Sequence, residues 1–311
     1  MGIIKGICIS EKRGTVKKYT PNAKFIENFG IENDAHAGNW HRQVSLLSYE
    51  KIEEFKAKGA QVEPGSFGEN LIVEGFDLSK IPVGAKLQSG DVILEITQIG
   101  KECHSHCNIY NAMGDCIMPR EGIFARVLKS GELNVGDVIE MLPFDSDRAL
   151  TAAVITLSDK GYAGEREDKS GPIIADELKK AGYEIVEEII LPDDFDVITE
   201  NLKRLADMRQ VNLILTTGGT GFSKRDCTPE ATLSVATRNA PGIAEAIRMG
   251  SMQITKRAML SRGVSVIRNE TLIVNLPGSP KAVKESLDII LGQLEHGIKI
   301  LLGRGGECGR K

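Results

Sequence analysis

No apolar run in the 311-residue chain approaches the roughly 20 residues that a membrane-spanning helix needs. The start, Met1-Gly2-Ile3-Ile4-Lys5-Gly6, also lacks the long apolar stretch of a signal peptide, so the sequence reads as cytoplasmic, with no membrane partner. An excess of basic charge is missing as well. Lys and Arg number 39 against 43 Asp and Glu, a net of −4, which leaves no global positive field to hold nucleic acid. Six cysteines are too dilute for a disulfide framework, so any that cluster are to be weighed as nucleophiles or metal ligands. What is present supports two cores: 41% of residues are hydrophobic, 26% are charged, and the length is about twice the usual 150 residues of one domain.

The texture changes near residue 145. Before it, short β-rich runs are punctuated by glycine: Ile3–Ile9, Val44–Ser48, Asn70–Glu74, Val92–Ile99 and Val138–Leu142. Gly90-Asp91-Val92-Ile93 and Gly136-Asp137-Val138-Ile139 repeat a turn-then-strand tetrad, and Tyr49–Lys58 is the one convincing amphipathic helix. Many short strands with turn signals predict a closed or nearly closed β-barrel. After the polar connector 143–148, strands and helices alternate. Thr151–Leu157, Tyr183–Leu191 and Val211–Thr216 read as strands, and Gly171–Ala181 and Asp194–Met208 as helices. That βαβαβ order predicts a mainly parallel sheet with helices on both faces and a ligand site at the carboxyl ends of its strands. The expected domains are 1–145 and 146–311.

Three segments fall at those strand ends: Ser158-Asp159, Pro192-Asp193-Asp194 and Thr217-Gly218-Gly219-Thr220-Gly221. Glycines directly after a buried strand let backbone N–H groups approach an anion, and equally suit a plain turn. The loop is not a Walker A motif, because Gly-Lys-Ser/Thr is missing. Lys224-Arg225-Asp226-Cys227-Thr228-Pro229-Glu230 follows, with Thr228 expected to cap a helix that has Pro229 at its first position. Capping does not account for Asp226, whereas Asp193 or Asp194 suits a helix cap as well as a ligand. Carboxylates converging on a phosphate cradle imply a divalent ion between them, with Mg²⁺ held by one or two carboxylates and by substrate phosphates. That arrangement suits transfer at phosphorus. A further loop, Asn275-Leu276-Pro277-Gly278-Ser279-Pro280-Lys281, follows the apolar strand Thr271–Leu276 and opens a helix, offering N–H groups and Lys281 to a second anion.

In order and spacing these motifs resemble the molybdopterin-binding adenylyltransferase family, over about residues 150–302. The resemblance implies a three-layer α/β unit, usually a trimer, that joins AMP from Mg-ATP to the terminal phosphate of molybdopterin and releases pyrophosphate. It places Asp193 and Asp226 as catalytic, metal-holding carboxylates, and Ser158, Asp159 and Gly218, Gly219, Thr220, Gly221 around phosphate. Ser279 with Lys281 then lines the pterin side, and Asn275, Pro277 and Gly278 of the same loop count as cofactor-binding.

In the first half, Gly30-Ile31-Glu32-Asn33-Asp34-Ala35-His36-Ala37-Gly38 sets Asp34 and His36 on one side of an extended segment. Cys103-His104-Ser105-His106-Cys107, with Cys116 nearby, admits two readings: a zinc site, though no second Cys/His pair is spaced for it, or a nucleophilic thiol activated by Lys101, Arg120 or a protonated histidine. These segments, with Gly68-Glu69-Asn70, resemble the MOSC family, named for the C-terminal domain of molybdenum cofactor sulfurases, over about residues 1–142. The resemblance implies a β-barrel-like domain that binds molybdenum cofactor and carries sulfur on a cysteine at the position of Cys103, with Asp34 and His36 in the binding loop. Both halves lead to one expectation, a fused enzyme of molybdenum cofactor biosynthesis. Its rival is a carrier that binds molybdopterin without ATP chemistry, and retention of both Asp193 and Asp226 favours the enzyme.

Overall fold

The structure, a computed structural model, describes residues 1–103 and 108–304. The chain divides into two compact units, with the boundary between Asp145 and Ser146.

The first unit holds strands β1 (Gly2–Ile9), β2 (Lys18–Thr20), β3 (Asn22–Ile26), β4 (Gly30–Ile31), β5 (Val44–Ser48), β6 (Leu71–Glu74), β7 (Lys86–Ser89), β8 (Val92–Ile99), β9 (Ile123–Lys129), β10 (Gly131–Asn134) and β11 (Val138–Met141). Seven of them close a barrel in the order β11-β7-β8-β9-β5-β6-β1, with β11 pairing back onto β1, while β2 hangs on the far side of β1 and β10-β3-β4 form a small separate sheet. Only β5 and β6 run parallel in the barrel wall. Its interior is filled by inward-facing residues such as Ile4, Ile7, Leu46, Leu71, Leu94, Ile96 and Val127. Gly90 and Gly136, at φ +54° and +98°, make the two tight turns that the repeated tetrads predict. Helix α1 (Tyr49–Ala57) packs Ile52 and Phe55 on the barrel's outer side. Two short helices unforeseen in the sequence, α2 (Asn108–Met113) and α3 (Met118–Glu121), precede β9.

The second unit contains β12 (Thr151–Leu157), α4 (Asp159–Tyr162), α5 (Ser170–Lys180), β13 (Glu184–Leu191), α6 (Phe195–Lys203), β14 (Leu213–Thr217), α7 (Thr228–Ser234), β15 (Arg238–Asn239), α8 (Pro241–Met252), β16 (Ser265–Arg268), β17 (Thr271–Leu276) and α9 (Pro280–Leu301). The sheet order is β13-β12-β14-β17-β16-β15. The first four strands are parallel, and β16 and β15 form an antiparallel extension. Every residue of β12, β14 and β17 is buried, as expected for parallel strands covered on both faces. Residues of α5, α8 and α9 fill one face, and residues of α6 and α7 the other.

Two local details depart from the sequence reading. The helix after Asp194 ends at Lys203 and passes into one π turn, Arg204–Met208. Cys227, not Thr228, is the residue before α7, because the Thr228 hydroxyl is spent on the glycine loop described below. Among the described residues no helix is long and apolar enough to cross a membrane.

Candidate functional site

From β12 the chain moves outward to β13 and returns to β14 on the other side of β12, so the loops after β12 and β14 diverge. At such a switch point the carboxyl ends of the strands leave a crevice. Here it is a cleft of about 700 Å³. Its wall comes from Thr156–Ser158 after β12, Asp193 after β13, Thr217–Gly219 after β14, Gly278–Pro280 before α9, and the segment 166–170 leading into α5.

Gly218 and Gly219 sit at φ +99° and +61°, where side chains are strained. Space forbids them too: a Cβ on Gly218 would run into the Leu157 carbonyl, and one on Gly219 into the Thr228 hydroxyl and, at 2.9 Å, Asp193 Oδ1. The loop is held from behind. Thr228 donates its hydroxyl to Gly218 O at 3.1 Å and its N–H to Gly219 O at 3.3 Å, and Thr217 donates to Pro277 O at 2.7 Å. The backbone N–H groups of Gly219, Thr220, Gly221 and Phe222 donate to no protein acceptor among the described residues, a run of amides suited to an anion.

Three carboxylates gather beside this loop. Asp159 accepts both arms of the Arg225 guanidinium, at 3.0 and 2.8 Å, and the Asp193 N–H at 3.0 Å. The Arg225 cation holds Asp159 below its ordinary titration range. Asp193 Oδ2 accepts from Asp159 N–H at 3.2 Å, whereas Oδ1 is buried with no hydrogen-bond partner. Burial, and then the charges of Asp159 and Asp226, push the Asp193 carboxyl above the ordinary range. A buried, orphaned carboxylate oxygen is costly unless something else satisfies it, and a cation fits that need. Asp226 Oδ2 accepts Ser223 N–H at 3.2 Å and lies 2.8 Å from where a Gly221 Cβ would stand. Among the described residues no group of three or more His, Cys, Asp or Glu forms a closed metal site. A pair of carboxylates completed by substrate phosphates is the arrangement Mg²⁺ accepts.

Asp168 was missed by the sequence reading. It accepts from Ser170 N–H and Gly171 N–H at 2.9 and 3.0 Å and from the Thr156 hydroxyl at 2.6 Å, tying the start of α5 to the end of β12. Ser170 in turn donates to Gly278 O at 2.9 Å. The available signal was an aspartate two residues before Ser-Gly at a helix start, an N-terminal capping pattern.

Other expected site residues take supporting places. Ser158 and Ser279 line the cleft and cap α4 and α9. Asn275 does not line the cleft: its amide donates at 2.9 Å to both Thr216 and Thr232 hydroxyls and accepts from Val264 N–H, making it a buried strut. Lys281 is 84% exposed and faces Glu285 at 3.8 Å, outside the cleft wall, because it falls on the outer side of α9's first turn. Thr220, Gly221 and Pro277 are not part of the cleft wall; their carbonyls brace the loops behind it, Thr220 O and Gly221 O accepting from Arg262 and Pro277 O from Thr217.

In the first unit, Asp34 is buried and both its oxygens accept from Lys17 Nζ at 2.8 Å. Although burial opposes its ionisation, bonds from His36, Lys17 and Ser10 hold the Asp34 carboxyl well below the carboxylate range. Lys17 Nζ also lies 3.3 Å from His36 Nδ1. Lys17, His36, Arg42 and Lys101 line one cavity of about 290 Å³, with Arg42 over the Trp40 and Phe124 rings. Asp34 thus sits behind this cationic wall as the anchor of Lys17. Cys103 is exposed, Cys116 is buried, and Cys8 is buried in β1 with its thiol pushed up to about 12 by burial and by Glu69. His104, His106 and Cys107 lie outside the described residues, as does Cys308.

Comparison with known proteins agrees with both units. Residues 153–296 match the family described as "Probable molybdopterin binding domain", and residues 33–140 match the MOSC domain. The chain is 45% identical over 141 residues to a molybdopterin adenylyltransferase of Haemophilus influenzae, covering 45% of this chain and 72% of that protein. It is 42% identical over 142 residues to the Escherichia coli K12 enzyme of the same name, with the same coverage. It is 39% identical over 155 residues to the molybdenum cofactor synthesis protein cinnamon of Drosophila melanogaster, covering 49% of this chain and 26% of that protein. Among solved structures, the molybdopterin biosynthesis enzyme MoaB of Thermus thermophilus is 40% identical with a TM-score of 0.48, covering 51% of this chain and 99% of that one. Its second unit places the chain in a class of nucleotidyltransferases that serve molybdenum cofactor biosynthesis. The chain belongs to the molybdopterin adenylyltransferase family and carries a MOSC domain in its first unit.

Proposed function

We propose that the second unit transfers the adenylyl group of ATP to the terminal phosphate of molybdopterin. A phosphate oxygen of the pterin attacks the α-phosphorus of ATP as the bond to pyrophosphate breaks. The observation that carries this reading is the orphaned Asp193 oxygen beside a glycine loop whose amides have no protein acceptor among the described residues. Asp193 and Asp226 would hold Mg²⁺, which when bound neutralises charge developing on the phosphates. The amides of Gly219–Phe222 bind phosphate oxygens, Arg225 holds the Asp159–Asp193 corner in place, and Asp168 with Ser170 fixes the facing wall. Ser279 and Gly278, on the opposite loop, would take the pterin side.

For the first unit, the cationic cavity lined by Lys17, His36, Arg42 and Lys101 favours binding of the anionic molybdenum cofactor, with Cys103 as the sulfur-bearing residue. The protein would act in the cytoplasm as a homo-oligomer, a trimer held by its second unit.

The test is incubation of the purified chain with molybdopterin and Mg-ATP, followed by detection of pyrophosphate and adenylylated pterin. Release of both products supports the reading. Tight pterin binding with no pyrophosphate overturns it in favour of a carrier.

A further inference from the structure

We infer that Arg262 is a positioning residue for adenylyl transfer, turning amides of the glycine loop toward its open side and fixing the backbone of Asp226 through bonds to carbonyl oxygens, with Glu230 as its carboxylate partner. The inference rests on the adenylyltransferase reading of the cleft.

Arg262 lies between a short 3₁₀ turn, Lys256–Leu260, and β16. Its backbone N–H donates to Thr220 O at 3.0 Å, Nε to Gly221 O at 2.6 Å, and Nη2 to Asp226 O at 2.7 Å, while Nη1 pairs with Glu230 at the start of α7. One residue therefore holds both ends of the loop between Gly221 and Asp226. Between those ends the loop is held by the Arg225–Asp159 pair and by the turn that Ser223 and Asp226 close. Ser223, Lys224 and Arg225 are exposed and Phe222 is 71% exposed, so apolar burial contributes little order there.

The carbonyls matter because a trans peptide points its C=O and its N–H in opposite directions. Capture of Thr220 O by the Arg262 backbone N–H turns the Gly221 N–H away from Arg262, and capture of Gly221 O by the side-chain Nε, the bond the variants remove, does the same for the Phe222 N–H. Those are two of the four amides without a protein acceptor among the described residues. The third bond, to Asp226 O, fixes the backbone that carries the second carboxylate. The guanidinium reaches Gly221 O, Asp226 O and the Glu230 carboxylate together because its donors diverge in a rigid plane, and an ammonium on a flexible stem does not.

The test compares Arg262→Lys and Arg262→Gln with the wild-type chain by two measurements. In hydrogen–deuterium exchange, both variants are expected to exchange faster in peptides covering 218–226, with β12 and β17 peptides unchanged. In pyrophosphate release, both are expected to lower kcat on the order of a hundredfold, the usual cost of a reacting group displaced by about 1 Å, with KM for molybdopterin little moved. Full activity in Arg262→Lys would overturn the inference, since charge alone would then suffice. So would unchanged exchange in 218–226, or faster exchange spread across the whole second unit, which would mark a role in the fold only. If the wild-type chain itself releases no pyrophosphate, the adenylyltransferase reading fails, and the exchange comparison still decides whether Arg262 orders the loop.

Discussion

Asp159 and Asp193 bind each other reciprocally: the backbone N–H of each donates to the side chain of the other, at 3.0 and 3.2 Å. Two strand ends are thereby locked together by two carboxylates, an arrangement that Arg225 stabilises from the Asp159 side and that leaves Asp193 Oδ1 buried and unanswered.

Asp193→Asn is expected to lower adenylyl transfer on the order of a thousandfold, the loss of several kcal/mol of barrier stabilisation. The same change should raise the thermal midpoint at neutral pH. A carboxyl whose folded pKa is raised contributes stability below its unfolded value and loses it as pH rises through the folded one, so the aspartate is a liability near neutrality and Asn removes it. Calorimetry across acid to neutral pH should therefore show the mutant's advantage shrinking on acidification.

Asp226→Asn is expected to abolish most transfer, again on the order of a thousandfold, while molybdopterin binding stays near wild type. Equilibrium binding of the pterin beside a pyrophosphate assay separates the two effects. Retention of more than about a tenth of the rate at saturating magnesium would remove Asp226 from the chemistry.

Glu69 makes the first unit sensitive to pH. Its fully buried carboxyl accepts the N–H groups of Gly65 and Phe67 at 2.7 and 3.0 Å, and burial lifts its pKa to about 7 against those bonds. The stability it lends is present below the unfolded carboxylate value near 4.5 and is lost as pH rises through about 7. Trp40 is the chain's only tryptophan and belongs to the first unit, so its fluorescence in denaturant reports that unit alone. The midpoint should fall between mildly acidic and mildly alkaline buffer, and Glu69→Gln should flatten the dependence.

Iodoacetamide at neutral pH should label exposed Cys103 well before buried Cys8, whose thiol titrates at about 12, and before half-buried Cys227, whose thiol burial also pushes upward. Peptide mapping by mass spectrometry gives the order. Cys103→Ser should leave adenylyl transfer unchanged, and protection of Cys103 that a chelator relieves would favour zinc instead.

Much of the fold is legible because its signals are local: apolar strands followed by glycine or aspartate, and helices at regular spacing. Asp193 and Asp226 stand out for the same reason, since each lies at a strand end or beside the glycines. What the sequence hides are residues whose partners are remote. The Arg262 side chain meets the glycine loop across 36 to 41 positions, and no motif announces a side chain whose partners are two backbone carbonyls and one distant carboxylate. Asn275 misleads in the opposite way: it stands in a phosphate-loop pattern, yet its amide is consumed by two threonine hydroxyls in the core. Asp168 is hidden because its work is done through helix-start amides and one short bond to Thr156.

The margins of the six-stranded sheet bear on solubility at high concentration. One margin is β13, which carries the exposed Glu184 and Glu188, and the other is the two-residue β15. A long, flat, uncharged outer strand would offer its free amides and carbonyls to another molecule and seed aggregation, whereas acidic side chains and a very short terminal strand deny that template. Replacing those glutamates with valine or threonine, which favour strands, would leave the cleft untouched and turn the β13 margin into a surface where chains stick together.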